Sequence, residues 1–248
     1  GWRGAGNFSG TATASSVGTF FVNNGALGGA LNVGSVDLLY VNGSLVGGVE
    51  SGNVGTFYVK GALGGTARVG GANLFYVGGE MSGFVESAGA MRAGYFMGEA
   101  RGEMLLGGRA GVVYFGSANG LRASLLGGAD VVRTAGGMRD SLVVSGWNLR
   151  EGVASGGGDL TTVHVGGRLV GSVISAGARR GSDGAWGSGD DAAGSGVLGR
   201  VFCLGGIDNS VVQSSGGAFW FYSREPFEYR QVASGAPWMG ANSIVRVL

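Results

Sequence analysis

One line of text recurs along this chain, and that repetition limits its fold more than any other feature. Residues 36–53 read VDLLYVNGSLVGGVESGN and residues 54–71 read VGTFYVKGALGGTARVGG. Lines starting at Val17, Val36, Val54, Ala72, Arg92, Val112, Leu160 and Leu198 place an apolar residue fourth in each: Phe20, Leu39, Phe57, Phe75, Tyr95, Phe115, Val163 and Val201. A second column holds Leu27, Leu45, Leu63, Met81, Leu121, Leu169 and Ile207, broken at Arg101, and a third holds Leu31, Val49, Ala67, Val85, Leu125, Val173 and Val211. Glycines recur between the columns.

A period of about 18 to 20 residues, cut by glycine into runs of one strand each, is too short for a propeller blade or a helix-pair repeat. Three short strands per turn, stacked at strand spacing, predict an all-β fold: a parallel β-helix (β-solenoid) of roughly ten coils, with residues 131–158 supplying one or two degenerate turns. The 57 glycines among 248 residues, roughly three times ordinary usage, disfavour long helices and suit corners that need positive φ or lack room for a Cβ. Leucine-rich repeats fall in the same length range, but their leucine-asparagine signature is missing, while a left-handed hexapeptide helix is closer. The pattern leaves handedness open, with the general preference for right-handed crossovers tilting the reading that way.

Composition narrows the function classes. A formal net charge of +1 with scattered arginines gives no basic stripe for nucleic acid, and no window is apolar for long enough to make a transmembrane helix. The chain opens at Gly1 without a methionine, a basic n-region or an apolar h-region, as expected of a chain that has lost a signal peptide or been cut from a longer one. Cys203 stands alone, so an internal disulfide is impossible.

LTTVHVGGRLVGSV at 160–173 and GRVFCLGGIDNSVV at 199–212 resemble the glycine-rich β-helix repeats of large secreted bacterial surface proteins, whose unit reads like V-x-V-x-G-x-L-x-G-S-V. The resemblance covers most of residues 8–216 and implies a structural or adhesive role at the bacterial cell surface rather than an activity. One departure is that a position usually Thr or Ser in that unit is here occupied by Phe21, Tyr40, Tyr58, Tyr76, Phe96, His164 and Phe202. Side chains alternate along a strand, so this row is expected to face outward as an aromatic stripe. It is read as a surface for self-association, with a sugar as the alternative ligand; the plain structural readings are burial under a long loop or the C-terminal tail, or a sheet that faces inward at this row.

Little else looks like chemistry. His164 belongs to the stripe and lacks a neighbouring nucleophile, and Cys203 is expected to be a buried, inert thiol. Glu50 and Glu86 lie at similar positions two coils apart, which suits solvated acids better than a catalytic pair. The segment 177–196, GARRGSDGAWGSGDDAAGSG, is expected to leave the solenoid as a loop, with Asp183, Asp190 and Asp191 as candidate Ca²⁺ ligands. The division expected is a β-helix over 1–216 and an aromatic-rich cap or tail over 217–248. The whole reads as a non-enzymatic, extracellular structural protein that assembles with itself, sideways through the stripe and end to end. A surface adhesin or carbohydrate-binding module is the alternative, and a polysaccharide-acting β-helix enzyme comes third.

Overall fold

A computed structural model describes residues 1–235, 237–240 and 242–248, which contain strands and turns but no helix. The chain winds into a parallel β-solenoid of about 12 turns with about 19 residues each. Its first sheet stacks Trp2–Ala5 under Val17–Asn23 and continues, strand on strand, to Leu160–Val165, Leu198–Cys203 and Phe219–Ser223. The second side of each turn narrows to a single bridged residue over the early coils, Phe8, Leu27, Leu45, Leu63, Met81 and Ala100 in order. The third sheet starts at Thr11–Ala14 and ends at Ser243–Val247. Ala30–Val41, Gly48–Val59 and Thr66–Val77 run unbroken from the third sheet of one turn into the first sheet of the next.

Matching letters one turn apart do touch. Phe57 and Phe75, both fully buried, stack with ring centroids 4.1 Å apart. The register then departs from the simple column. Ala72 pairs with Met91 and Phe75 with Gly94, because the corner between Ser87 and Met91 holds one residue more than that between Val69 and Ala72. Tyr95 therefore points outward beside Tyr76, while Phe96 points inward and is fully buried, correcting the placement of both. Volume explains the exchange. Where the first inward position is Phe57 or Phe75 its partner two residues on is Val59 or Val77; where it shrinks to Gly94 or Val113, the partner becomes Phe96 or Phe115. A Cβ on Gly94 would stand 2.8 Å from Met91 Sδ and 3.3 Å from the Phe96 ring, so the thioether and the phenyl together fill the space the glycine leaves. Large-for-small swaps of this kind conserve core volume.

The other columns need similar corrections. Ala100 and Ala118, not Arg101 and Leu121, continue the second column, after a register shift between Phe115 and Ser117. On the third sheet Ala123, Ile174 and Val212 continue the column of Leu31, Val49 and Val85, while Val173 and Val211 face the other way. Leu125 is buried one inward position further along.

The corner before the third sheet changes its chemistry along the molecule. Gly29, Gly47, Gly65, Gly83 and Gly102 follow one another there, and a Cβ on any of them would overlap the carbonyl oxygen of the glycine one turn below. None of these glycines has positive φ; close backbone approach, not handed conformation, demands them. After Leu121 the same corner carries Ser141, Ser172, Ser210 and Ser243. Each serine hydroxyl accepts a hydrogen bond from the amide of the corner residue one turn below, at 3.1 Å: Leu121 N to Ser141, Ser141 N to Ser172, Ser172 N to Ser210 and Ser210 N to Ser243. Ser141, Ser172 and Ser210 donate in turn to the carbonyls of Arg139, Val170 and Asp208 at 2.7–2.8 Å.

Before residue 216, two loops leave the winding. Residues 129–145 form one coil, and 146–158 leave it as a small hairpin, Trp147–Asn148 against Val153–Ala154. Residues 177–196 leave the next coil at the same corner, and Trp147 meets Trp186 edge to face at 6.3 Å. The first loop lies on the third sheet: Leu149 N donates to Ser124 Oγ and Arg122 donates to the Leu149 carbonyl. The second is tied to the last coil by Arg246, which donates to the Ser188 carbonyl at 2.9 Å and to Asp191 at 3.0 Å. Together they explain why Val144, Ser175 and Gln213, outward by alternation, are fully buried.

The winding does not stop at residue 216. Phe219–Ser223 is a further rung of the first sheet and Ser243–Val247 a further rung of the third. Glu228–Val232 and Trp238–Gly240 pair with these two antiparallel, so the last coil is closed by reversed strands instead of another parallel turn.

Candidate functional site

The outward side of the first sheet is built from two parallel columns. One runs Arg3, Phe21, Tyr40, Tyr58, Tyr76, Tyr95, Tyr114, Arg133, His164, Phe202 and Tyr222. Two residues back along each strand, the other includes Thr19, Leu38, Thr56, Leu74, Ala93, Val112 and Val131. Six of the seven residues expected in the stripe lie in the first column: Phe21, Tyr40, Tyr58, Tyr76, His164 and Phe202. Phe96 does not, being a core residue. Tyr95, Tyr114 and Tyr222 were missed. The signal for two of them was the order of letters: LFYV has Phe inside and Tyr outside, and GYFM and VYFG reverse that order, so the phenol stays outside in all three.

Ring geometry decides what this column can bind. Phe21 stacks on Tyr40 at 4.7 Å, Tyr40 on Tyr58 at 4.8 Å and Tyr58 on Tyr76 at 4.6 Å, with planes within 7° of parallel. Ring faces are thus spent on one another, and edges and hydroxyls face outward. Over the later coils the packing loosens, with Tyr95 and Tyr114 at 6.2 Å and 47° and His164 and Phe202 at 6.1 Å and 45°. At the far end Tyr222 meets Phe227 and Tyr229, and Trp220 stacks on Tyr229 at 5.2 Å, with Phe227 74% and Tyr229 60% exposed. Phe21, Tyr40, Tyr58, Tyr76, Tyr95 and Tyr114 are all half-buried.

Comparison with protein-family models, curated proteins and solved structures returned no match. The chemistry of the face therefore rests on its own residues.

The phenols respond to their crowding. Burial, then the neighbouring Tyr76 and Tyr40, raises the Tyr58 pKa above the ordinary tyrosine value, because a phenolate there would be poorly solvated and would sit beside others. The His164 pKa is lowered, chiefly by burial and then by Arg133. Its Nδ1 is buried without a hydrogen-bond partner among the described residues, and the ring lies beside Phe202. Cys203 is fully buried and its thiol is pushed up to about 12 by burial alone, so no thiolate forms at neutral pH.

The acidic candidates find donors. Arg68 lies in register between Glu50 and Glu86 and bonds each at 3.2 Å. In the loop, Asp190 accepts from Ser188 Oγ at 2.6 Å, Ser182 Oγ at 2.9 Å and Asp183 N at 3.2 Å, which holds its carboxyl at about 2. Asp191 accepts from Gly181 N, Gly187 N and Arg246, and Asp183 accepts from Ala185 N at 2.8 Å. These carboxylates are occupied in holding the loop together. Among the described residues no three acidic, histidine or cysteine side chains gather as a metal set.

Proposed function

We propose that this chain is a non-enzymatic structural protein whose first sheet joins it sideways to further copies of itself. The observation that carries the reading is a contrast between two outward surfaces of one molecule. On the third sheet the chain lays its own loops over Val144, Ser175 and Gln213 until they are fully buried. On the first sheet the aromatic column and its Leu38, Leu74, Val112 and Val131 neighbours are only half-buried. An apolar patch of that extent left open on a folded chain marks an interaction surface.

Size supports a reversible contact. The charge-free run from Phe21 to Tyr114 spans six rungs, about 24 Å by about 15 Å or on the order of 360 Å² per copy. The full eleven-rung face, which also carries Arg3, Arg133 and Arg200, reaches on the order of 700 Å², against the roughly 800 Å² each partner contributes to a standard interface. A flat face with exposed ring edges suits a second flat face. A glycan stacking on ring faces is less well served, because from Phe21 to Tyr76 those faces cover each other. End-to-end growth has weaker support than sideways growth, since reversed strands close the last coil. The closeness of residues 160–173 to repeats of secreted bacterial surface proteins favours a place at the cell exterior.

Electron microscopy of the purified chain tests the reading. Sheets or fibres are expected, and their loss in the Tyr58→Ser/Tyr76→Ser double variant with the β circular-dichroism spectrum intact; unchanged assembly in that variant would count against the face.

A further inference from the structure

From the ladder geometry we infer that Tyr40, Tyr58 and Tyr76 form an oxidative modification site, at which a one-electron oxidant of the haem-peroxidase class joins neighbouring rings of one chain by a carbon–carbon bond. Tyr58 is the centre of the site. Its ring lies parallel within 1° to that of Tyr40 at 4.8 Å and within 6° to that of Tyr76 at 4.6 Å. Their positions are fixed by backbone pairing on both sides, Tyr40 to Tyr58 and Tyr58 to Tyr76.

The chemistry balances with peroxide as the electron acceptor. Each of two neighbouring phenols gives one electron to the oxidant and its hydroxyl proton to water, leaving a phenoxyl radical with spin at the carbons ortho to oxygen. The two radicals combine at those carbons, and the hydrogens there move to the oxygens as the rings become aromatic again. One hydrogen peroxide takes up the two electrons and two protons and leaves as two waters, and the protein has lost two hydrogen atoms. Geometry supplies the partner: a radical on Tyr58 has a parallel phenol one turn away in either direction, at a local concentration that free encounter does not match. Because the ring edges face outward, the site is open to the oxidant. Phe21, with no hydroxyl, ends the phenol row on one side, and Arg133 ends it on the other after Tyr114. The inference rests on contacts within one chain and is independent of whether the face joins copies.

The test treats dilute protein with a haem peroxidase and limiting hydrogen peroxide, and follows dityrosine fluorescence, intact mass and the cross-linked peptides. The folded chain is expected to give a monomer lighter by two hydrogens, linked Tyr40 to Tyr58 or Tyr58 to Tyr76, about tenfold faster than the urea-unfolded chain. Tyr58→Phe, which keeps the ring and its stacking, is expected to remove both links, and Tyr222→Phe is expected to leave them. Equal rates with and without urea, links confined to Tyr222 and Tyr229, dimers in place of the intrachain product, or full yield of these links' fluorescence in Tyr58→Phe would each overturn it.

Discussion

At Gly65, an added Cβ would overlap the carbonyl oxygen of Gly47, whereas at neighbouring Gly64 the nearest atom would be Ser82 Oγ at 3.8 Å, an ordinary contact. Two adjacent glycines thus carry different constraints. Backbone one turn below cannot yield without opening the hydrogen bonds that join the coils, among them Thr66 N to the Gly47 carbonyl at 3.0 Å. Gly65→Ala is therefore expected to destabilise by about 3 kcal/mol, the upper end of overpacking costs. Gly64→Ala should stay within about 0.5 kcal/mol of the parent. Urea denaturation of the two variants checks this, and equal midpoints would show that close coil contact does not select glycine at this corner.

At the scale of the single turn, the corner shows what was legible in the sequence and what was not. The quoted repeat yields the coil, its three short sides and the inward columns of the early turns, because there the spacing is constant and one letter maps to one direction. Reading failed where a corner gained a residue. One extra residue between Ser87 and Met91 turned Phe96 inward and Tyr95 outward, since side chains alternate with a period of two and a slip of one reverses every direction. The hairpin at 146–158 was missed because its glycines look like those of any corner. The serine ladder was visible in the letters, DSLVV, GSVIS, NSVVQ and NSIVR, but its function follows only from stacking: one hydroxyl serves the amide of the turn below. Ser172→Ala is expected to leave the buried Ser141 amide without its acceptor and cost about 1–3 kcal/mol. Ser44, a half-buried serine accepting from Ala62 N at 3.1 Å, is the milder comparison, expected to cost about 1 kcal/mol or less when changed to alanine. Thermal melts of both variants separate these outcomes, and a neutral Ser172→Ala would remove the ladder from the account of stability.

For the whole molecule, the division of labour among sides follows from what covers them. The third sheet is closed by loops around Arg246 and Asp191 over the later coils, and carries the Glu50, Arg68 and Glu86 row over the early ones. That exposed row contributes little to stability, because surface ion pairs are typically within about 1 kcal/mol and are screened by salt. From Phe21 to Tyr114 the two outward columns of the first sheet have neither cover nor charges among the described residues, Arg3, Arg133 and Arg200 lying outside that run, and this is the stretch that the proposed contact with another copy would use. Sedimentation velocity across a wide range of protein concentrations tests this most directly, comparing the parent with Leu38→Lys/Leu74→Lys, which leaves every ring of the ladder in place and adds charge to the face. The account predicts that the parent grows in mass with concentration while the double variant remains monomeric; a parent that stays monomeric throughout, or a variant that assembles equally well, would contradict it.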